Sequence, residues 1–358
     1  MAGFTGEATK GFIELTPFVK AFLPTLGFFG GLLSGFIGSG GAFVLTPGMM
    51  NVGAPGAVAV ASNMTHKFPK ALVGALKRKK LGHVDVLLGL VMGLSAFAGV
   101  QVGIIVQKWI NAVWGNAGTN LYVSAIFVIV LAVVGTSVLR DAYRSKNNVG
   151  AVKKAGGFAE RVQRINIPPM LSFKTAGVRV SFWITVPLGF ATGMLAATIA
   201  VGGFIGVPAM IYILGTSSFV ASGTELVIAF VMGLTGAFAW ALGGFVDIRL
   251  TFLILAGSLF GVQLGAVGTS FVKDYMIKLI MAAVMLTVMV SRIVAIPVYL
   301  HNLGRITLND ALIPVLKNVS FGILVFALLG SGLIILGAMI RGRRAEAEAV
   351  GAPVQVSR

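Results

Sequence analysis

The sequence carries nine apolar stretches, each about as long as a helix that crosses a lipid bilayer, and this pattern strongly constrains the fold. A crossing helix needs about 20 residues. Only 11% of the residues are charged and 57% are apolar, whereas an average soluble domain has about 25% charged residues. This composition excludes a water-soluble fold and predicts an all-α integral membrane protein with about eight or nine transmembrane helices. The stretches cover residues 21–50, 54–76, 84–107, 121–139, 180–214, 219–243, 248–269, 276–298 and 311–340.

The basic residues cluster between the apolar stretches. Lys and Arg number 28 and Asp and Glu number 11, so the net charge is +17. The clusters at 77–80, 140–179 and 341–344 are typical of cytoplasmic loops under the positive-inside rule. They predict a multi-pass protein of the plasma membrane, here a bacterial inner membrane, and such clusters could bind anionic lipid headgroups. No nucleic-acid-binding motif accompanies them, so a nucleic-acid partner is not expected.

The side of the membrane on which the C-terminus lies is left open by the sequence. Five apolar stretches separate the linker at 140–179 from the basic tail, and five crossings would place that tail outside. Three alternatives follow. Either 180–214 is a re-entrant hairpin, or 311–340 is not a single crossing, or the tail departs from the positive-inside rule.

An internal repeat relates the two halves of the chain. With an offset of 162, residues 27–103 align on 189–265 without a gap, and 22 of the 77 pairs are identical. Chance pairing at this composition would give roughly 8%, so the pattern indicates a duplication. Two homologous bundles with Gly-Gly broken helices and a site between them are a recurring plan of secondary transporters.

These features divide the chain into six segments. We assign 1–20 to an interfacial N-terminal segment, expected to form a lead-in helix, and 21–139 to a first transmembrane repeat. The rest comprises a basic cytoplasmic linker (140–179), a second transmembrane repeat (180–298), an additional C-terminal transmembrane segment (299–340) and a polar tail (341–358).

The order of the motifs resembles that of a known family. A glycine-rich first stretch leads to a proline, a small polar patch, a Gly-x-Val-Asp element and a glycine-rich third stretch, and most of this set recurs. The motifs are Gly27–Gly41, Pro47, Gly82–Asp85 and, in the second half, Gly202-Gly203, Pro208 and Gly244–Asp247. Over about residues 20–300 the chain resembles the sulfite exporter TauE/SafE family of membrane permeases. The resemblance implies a transporter of a small sulfur-containing anion, such as sulfite or an organosulfonate.

Two Gly-Gly pairs, Gly40-Gly41 and Gly202-Gly203, occupy equivalent positions in the repeat. Glycine weakens a helix, and freed backbone groups are tolerated in a membrane only where protein or a water-lined cavity satisfies them. Broken helices present amides and a positive dipole end to an anion. The pairs are therefore candidate substrate-binding positions, and close helix packing through small residues is the alternative.

The second stretch of the first half carries an unusual polar patch. Ser62, Asn63, Thr65, His66 and Lys67 follow one another in an otherwise apolar run. An ionisable group inside a membrane is by default a functional-site hypothesis. A cation and hydrogen-bond donors suit an oxyanion, so these residues are candidates for the substrate site. The alternatives are that Lys67 and Lys70 extend toward the cytoplasmic interface and that His66 serves packing.

The matching patch in the second half contains Thr224 and Glu225, which align with Ser62 and Asn63. Glu225 is the only acid between Arg179 and Asp247. It could pair with Lys67, or take up and release a proton, so both residues are added to the substrate site. A surface position at the outer end of the span is the alternative.

Asp85 and Asp247 stand at the start of the third stretch in each half. They are candidates for coupling or for helix capping, since an Asp in the first turn of a helix caps free amides and favours the dipole.

These observations predict a permease that moves a small anion by alternating access. No Walker loop, dinucleotide fingerprint or metal-ligand cluster is present, so no cofactor and no metal are expected. An enzyme is not expected either, because no clustered catalytic motif occurs. A carboxylate transporter, a channel and a membrane-embedded enzyme are the alternatives, and a homo-oligomer is left open.

Overall fold

The computed structural model describes residues 12–37, 42–147, 157–268 and 274–351, and the account below concerns these residues. They form a helical bundle with one small β-hairpin. The helices are α1 (Pro17–Ile37), α2 (Ala42–Asn51), α3 (Gly56–Lys80), α4 (Val86–Asn147), α5 (Gly157–Gln163), α6 (Phe182–Ile199), α7 (Gly203–Ala209, continued by a π-helical turn, Met210–Leu214), α8 (Ser218–Leu242), α9 (Ile248–Gly268), α10 (Asp274–Asn302) and α11 (Leu312–Gly351). The antiparallel strands are β1 (Met170–Phe173) and β2 (Val178–Ser181).

Seven of the described helices are long and apolar enough to cross a membrane. One of them, the apolar part of α4, has 59 residues, which as a straight helix would be about 88 Å long. It is not straight, because Gly115 has a positive φ of 60° and a non-helical ψ. Asn111 donates a hydrogen bond to Thr119 at 3.0 Å, although a straight helix would separate them by about 12 Å. The chain therefore reverses at Gly115, and α4 supplies two membrane-spanning arms.

Helix α3 is long enough to span but is too polar overall to count among the seven. Its N-terminal half is nevertheless buried among its neighbours. With α3 and the two arms of α4, the described helices supply nine segments of spanning length, in agreement with the nine apolar stretches of the sequence.

The contacts between helices show their relative directions. Gly27 and Gly31 on α1 lie against Ile254 and Ser258 on α9, so these two helices run parallel. Helix α3 runs antiparallel to α8, because Met64 lies against Gly236 whereas Leu226 lies against Gly74. In both cases the backbones approach closely at glycines, as is usual where packing drives the association of helices in a membrane.

Helices α6 and α8 both run parallel to the first arm of α4. Gly189 and Gly193 on α6 lie against Met92 and Ala96, and Gly89 and Gly93 on α4 lie against Val227 and Val231 on α8. Two successive long helices with the same direction require the chain to return between them. The short helix α7 makes this return, so 180–214 forms a re-entrant segment, the first of the three alternatives for the topology.

The basic clusters all lie at one end of the bundle. Helix α11 runs parallel to α1, since Phe18 contacts Phe321 and Phe29 lies against Gly332. Helix α9 runs parallel to α3, since Thr251 bonds Ser62 and Ser258 bonds His66. Because α1 and α9 are also parallel, α3 and α11 end on the same side. We call this side the basic end, and the second arm of α4 also finishes there.

The linker folds against the basic end. Its β1–β2 turn is held by Asp85, and Gln163 on α5 donates a hydrogen bond to the carbonyl of Leu214 at 2.8 Å.

The expected lead-in helix over 1–20 is wrong for residues 12–16, which form no helix before α1 begins at Pro17. This start fits the preference of proline for the first turn of a helix. Residues 1–11 lie outside the described residues.

Candidate functional site

A hydrogen-bonded chain of buried polar side chains crosses the middle of α3. Asn63 donates to the hydroxyl of Thr46 on α2 at 2.9 Å, and its amide oxygen lies 3.4 Å from Nδ1 of His66. Nε2 of His66 lies 3.0 Å from the hydroxyl of Ser258 on α9. All four side chains are fully buried. Three helices are thus joined through polar contacts that would be costly to leave unmade in an apolar interior.

Lys67, which is half-buried, and Glu225, which is buried, carry opposite charges beside this chain. Lys67 on α3 and Glu225 on α8 are close enough to interact electrostatically. Both carboxylate oxygens of Glu225 are buried and have no hydrogen-bond partner among the described residues. A buried carboxylate without hydrogen bonds is costly, so the pair is a strained charge arrangement that a bound proton or ligand would relieve.

Two other helices close around the carboxylate of Glu225. Gly206 in α7 lies directly against it, and any side chain at that position would occupy the space of the carboxylate oxygen. The methyl group of Thr192 on α6 also lies beside Gly206. Glu225 therefore contacts the re-entrant segment of the second half, and the alternative of a surface position is wrong, since Glu225 is only 3% exposed.

We define the central polar cluster as Thr46, Asn63, His66, Lys67, Glu225 and Ser258. Lys70, one turn along α3, donates to the hydroxyl of Ser34 on α1 at 3.2 Å. It therefore turns toward its neighbouring helix rather than toward the interface. Thr65 is half-buried and its hydroxyl bonds the carbonyl of Ala61 in its own helix, so it makes no contact with the cluster through that group.

Ser62 and Thr224 make equivalent contacts in the two halves. The hydroxyl of Ser62 accepts from the backbone N–H of Asp247 at 3.1 Å. The hydroxyl of Thr224 accepts from the backbone N–H of Asp85 at 3.0 Å. Each side chain thus ties α3 or α8 to the start of a helix from the other half.

Asp85 and Asp247 make contacts that favour the helix-capping alternative. Asp85 accepts from the N–H of Leu88 and, through its other oxygen, from the N–H groups of Thr175 and Ala176, each at 3.0 Å. Asp247 accepts from the N–H and the side chain of Arg249. Both residues therefore hold neighbouring chain segments in place.

The two Gly-Gly pairs are described unequally. Gly40 and Gly41 lie outside the described residues. Gly202 is the N-cap of α7 and Gly203 is its first residue, shortly after α6, whose cap residue Ala200 has a left-handed φ of 62°. Gly202 packs against Met232 and the carbonyl of Thr192, close to the helices that enclose Glu225.

Three residues of this region were not foreseen from the sequence, namely Thr46, Thr192 and Ser258. They are small hydroxyl residues in apolar helices, where such residues commonly bond their own backbone, so the sequence carries no signal for them. Arg292 was also missed, although an arginine inside the apolar stretch 276–298 is a strong signal. Its surroundings are described below.

The cluster has the groups needed to hold an anion. It offers one ammonium group, a histidine, an amide and hydroxyls, and it offers one carboxyl group that could exchange a proton. Within the described ranges, no three His, Asp or Glu side chains come together as a metal site would require.

A separate cavity of about 420 Å³ opens at the basic end between the α3–α4 turn and the linker hairpin, lined in part by Lys79 and Lys174. It does not include the central polar cluster.

The fold and the buried charges define a class, a multi-pass membrane protein with an ionisable site inside its bundle. The family model of the sulfite exporter TauE/SafE matches residues 23–292, and the chain belongs to this family. It is therefore a membrane transporter.

Two curated proteins of Bacillus subtilis (strain 168) are similar to this chain. The probable membrane transporter protein YdhB is 25% identical over 254 residues, which are 69% of this chain and 89% of YdhB. The probable membrane transporter protein YunE is 24% identical over 275 residues, which are 74% of this chain and 94% of YunE. No solved structure matches this chain.

Proposed function

We propose that this protein transports a small sulfur-containing anion, such as sulfite or an organosulfonate, through the central polar cluster. The observation that carries the proposal is the pairing of half-buried Lys67 on α3 with buried Glu225 on α8. The substrate class comes from the family, because the cluster offers a charge and hydrogen-bond donors suited to any small oxyanion.

The pair suggests how the anion is coupled to a proton. While Glu225 is ionised, it neutralises Lys67 and repels an incoming anion. When Glu225 takes up a proton, Lys67 needs a new counter-ion, and the substrate anion supplies it. The anion and the proton then occupy the site together, so that no net charge crosses the apolar core. Lys70 is a further cation close to Lys67, and His66 is close to both lysines.

The contact between α2 and the re-entrant segment 180–214 supports alternating access. The rings of Phe43 at the start of α2 and Phe204 at the start of α7 have centroids 5.2 Å apart. Thr46 on α2 donates to the carbonyl of Ile199 at the end of α6, at 3.5 Å. The two segments thus meet at the centre of the bundle, where the movement of one against the other would open the site to either side.

The packing also supports the proposed duplication. Gly27 lies against Ile254 and Gly189 lies against Met92, and adding or subtracting 162 converts one contact into the other. With α3 and α8 antiparallel, the two repeats would be inverted relative to each other in the membrane. We place the basic end in the cytoplasm of a bacterial inner membrane, on the positive-inside rule.

Counterflow in proteoliposomes tests the proposal. Vesicles loaded with unlabelled sulfite are diluted into a trace of labelled sulfite, and transient accumulation is measured. The same is done with taurine, sulfoacetate, thiosulfate, lactate and phosphate. We expect saturable accumulation of at least one sulfur anion, increased by an inward proton gradient.

Three other outcomes would contradict the proposal in different ways. Accumulation of lactate alone would keep the transporter and replace the substrate class with carboxylates. Flux without saturation or counterflow would indicate a channel. Equal counterflow by Lys67→Ala and Glu225→Gln variants would move the site away from the central polar cluster.

A further inference from the structure

Arg292 on α10 is completely buried inside the bundle, among the largest fully buried side chains of the described residues. A charged side chain within a membrane protein is costly unless it is paired or marks a binding site or pathway. Arginine keeps its charge in proteins, so Arg292 cannot escape this cost by losing its proton.

The hydrogen-bond partners of the guanidinium among the described residues are neutral. Its Nη2 donates to the amide oxygen of Asn51, at the end of α2, and to the hydroxyls of Ser291 at 3.2 Å and Ser320 at 3.0 Å. Tyr299, two turns further along α10, also interacts with it. Nε and Nη1 are buried and have no hydrogen-bond partner among the described residues. Two of the three guanidinium nitrogens are therefore left without an acceptor among the described residues.

We propose that Arg292, Asn51, Ser291 and Ser320 form a second binding site for a small oxyanion, separate from the central polar cluster. Nη1 carries two N–H donors, so it can donate charge-assisted hydrogen bonds to an oxygen of a sulfite, sulfonate or carboxylate. The hydroxyls of Ser291 and Ser320 can turn to donate to the same anion. The inference rests on the proposed function, because it takes the transported anion as the ligand.

The position of Arg292 relates this site to the transport path. Helix α2 carries Thr46 of the central polar cluster and Asn51 of the Arg292 site, which are about 7.5 Å apart along the helix. Ser320 lies eight residues after the start of α11, at the end of the bundle opposite the basic end. The Arg292 site would thus hold an anion between the central polar cluster and the side opposite the basic end.

The site is also specific to one half of the chain. With the offset of 162, Val130 stands where Arg292 would have its equivalent. Ser320 comes from α11, which lies beyond the two repeats. The additional C-terminal helix therefore completes a site that the repeats alone do not form. Because the guanidinium is enclosed, the anion would reach it when α2 moves away from α10 and α11.

Thermal unfolding of the purified protein in detergent tests the inference. The midpoint is recorded against sodium sulfite, sodium thiosulfate and sodium acetate, with sodium chloride at the same ionic strength as the reference. A ligand that binds the folded state raises the midpoint by mass action. We expect Arg292→Met and Lys67→Met each to remove part of the rise, and the double variant to remove all of it. Loss of the Arg292 contacts should weaken anion binding by at least about tenfold.

The midpoint without anion separates binding from a structural role. Arg292→Met should leave it unchanged or higher, because the variant replaces a buried charge with an unbranched apolar side chain. A large fall with an unchanged anion effect would show that Arg292 only anchors α2 and would overturn the inference. If Arg292→Met does not fold, Ser320→Ala carries the test, with Ser331→Ala as its control. Ser331 is equally buried on α11 but bonds only its own helix.

The remaining outcomes distinguish this inference from the proposed function. A normal rise in Arg292→Met with a lost rise in Lys67→Met would overturn the Arg292 site and keep the central one. A normal rise in Lys67→Met with a lost rise in Arg292→Met would do the opposite. A wild-type protein stabilised by none of the three anions would overturn both.

Discussion

Helices α3 and α8 hold equivalent places in the two halves of the chain, yet they carry different chemistry. Both have 25 residues, and they begin at Gly56 and Ser218, 162 residues apart. Both tie their second turns to the other half through a hydroxyl that accepts from an aspartate N–H. Beyond that tie, α3 continues with Asn63, His66 and Lys67, whereas α8 carries a single ionisable residue, Glu225.

The difference teaches that scaffold and site are separate features of these helices. The hydroxyls of Ser62 and Thr224 each accept a hydrogen bond from a backbone N–H. Serine and threonine can both make this contact. In the proposed mechanism Lys67 and Glu225 interact across the interface, so their charges need to be of opposite sign. The predictions below test this division, beginning with the largest expected effect.

Lys67→Met should reduce sulfite uptake by about 100-fold or more, because a charge-assisted anion contact in a low-dielectric site is lost. Initial uptake rates in proteoliposomes measure the effect. Lys80→Met, at the exposed end of the same helix, is the control and should transport normally. Similar rates for the two variants would show that α3 does not carry the site charge.

Glu225→Gln should remove the dependence of uptake on the proton gradient. In the wild-type protein, uptake should increase as the pH falls, because protonation of Glu225 frees Lys67 for the anion. The variant mimics the protonated state, so its rate should be flat with pH, and the acid stimulation, about tenfold, should disappear. Glu160→Gln in the exposed part of the linker should keep the wild-type profile, and a pH-dependent Glu225→Gln would exclude this residue as the proton carrier.

Ser62→Ala and Thr224→Val should destabilise the protein by similar amounts, about 1–3 kcal/mol each, because each leaves a buried N–H without its acceptor. Thermal midpoints in detergent measure this, with Thr287→Val on an exposed helix face as the control. Uptake per folded molecule should remain. A much larger transport defect in one of the two would mean that this hydroxyl also contacts substrate.

Asp85→Asn should lower the free energy of unfolding by about 1 kcal/mol more than Asp247→Asn does. The thermal midpoint of Asp85→Asn should therefore be the lower of the two. Asp85 accepts three backbone N–H groups, two of them at buried positions, whereas the side-chain partner of Asp247 is Arg249, which is 45% exposed. Exposed ion pairs contribute little. Proteolysis of the linker would report the release of the β1–β2 hairpin in Asp85→Asn, and an intact linker there would contradict the anchoring role.

The sequence by itself determined the membrane class, the positions of the spanning segments and the basic end. These follow from local composition, because a stretch of about 20 apolar residues has no stable alternative to a helix in the bilayer. The sequence also indicated Lys67 and Glu225 as candidate site residues, because both are ionisable residues within apolar stretches. The helix expected over residues 12–16 failed for a local reason, namely Pro17, whose preference for a first turn sets the helix start.

Only the tertiary structure decided which residues meet. The antiparallel pairing of α3 with α8 brings Lys67 toward Glu225, and the return through α7 resolves the direction of α8. Likewise, Arg292 meets three neutral groups from α2, α10 and α11. In a membrane the lipid is as apolar as the side chains, so apolar periodicity does not specify neighbours. Partners are set instead by glycine contacts and buried hydrogen bonds between residues far apart in the chain.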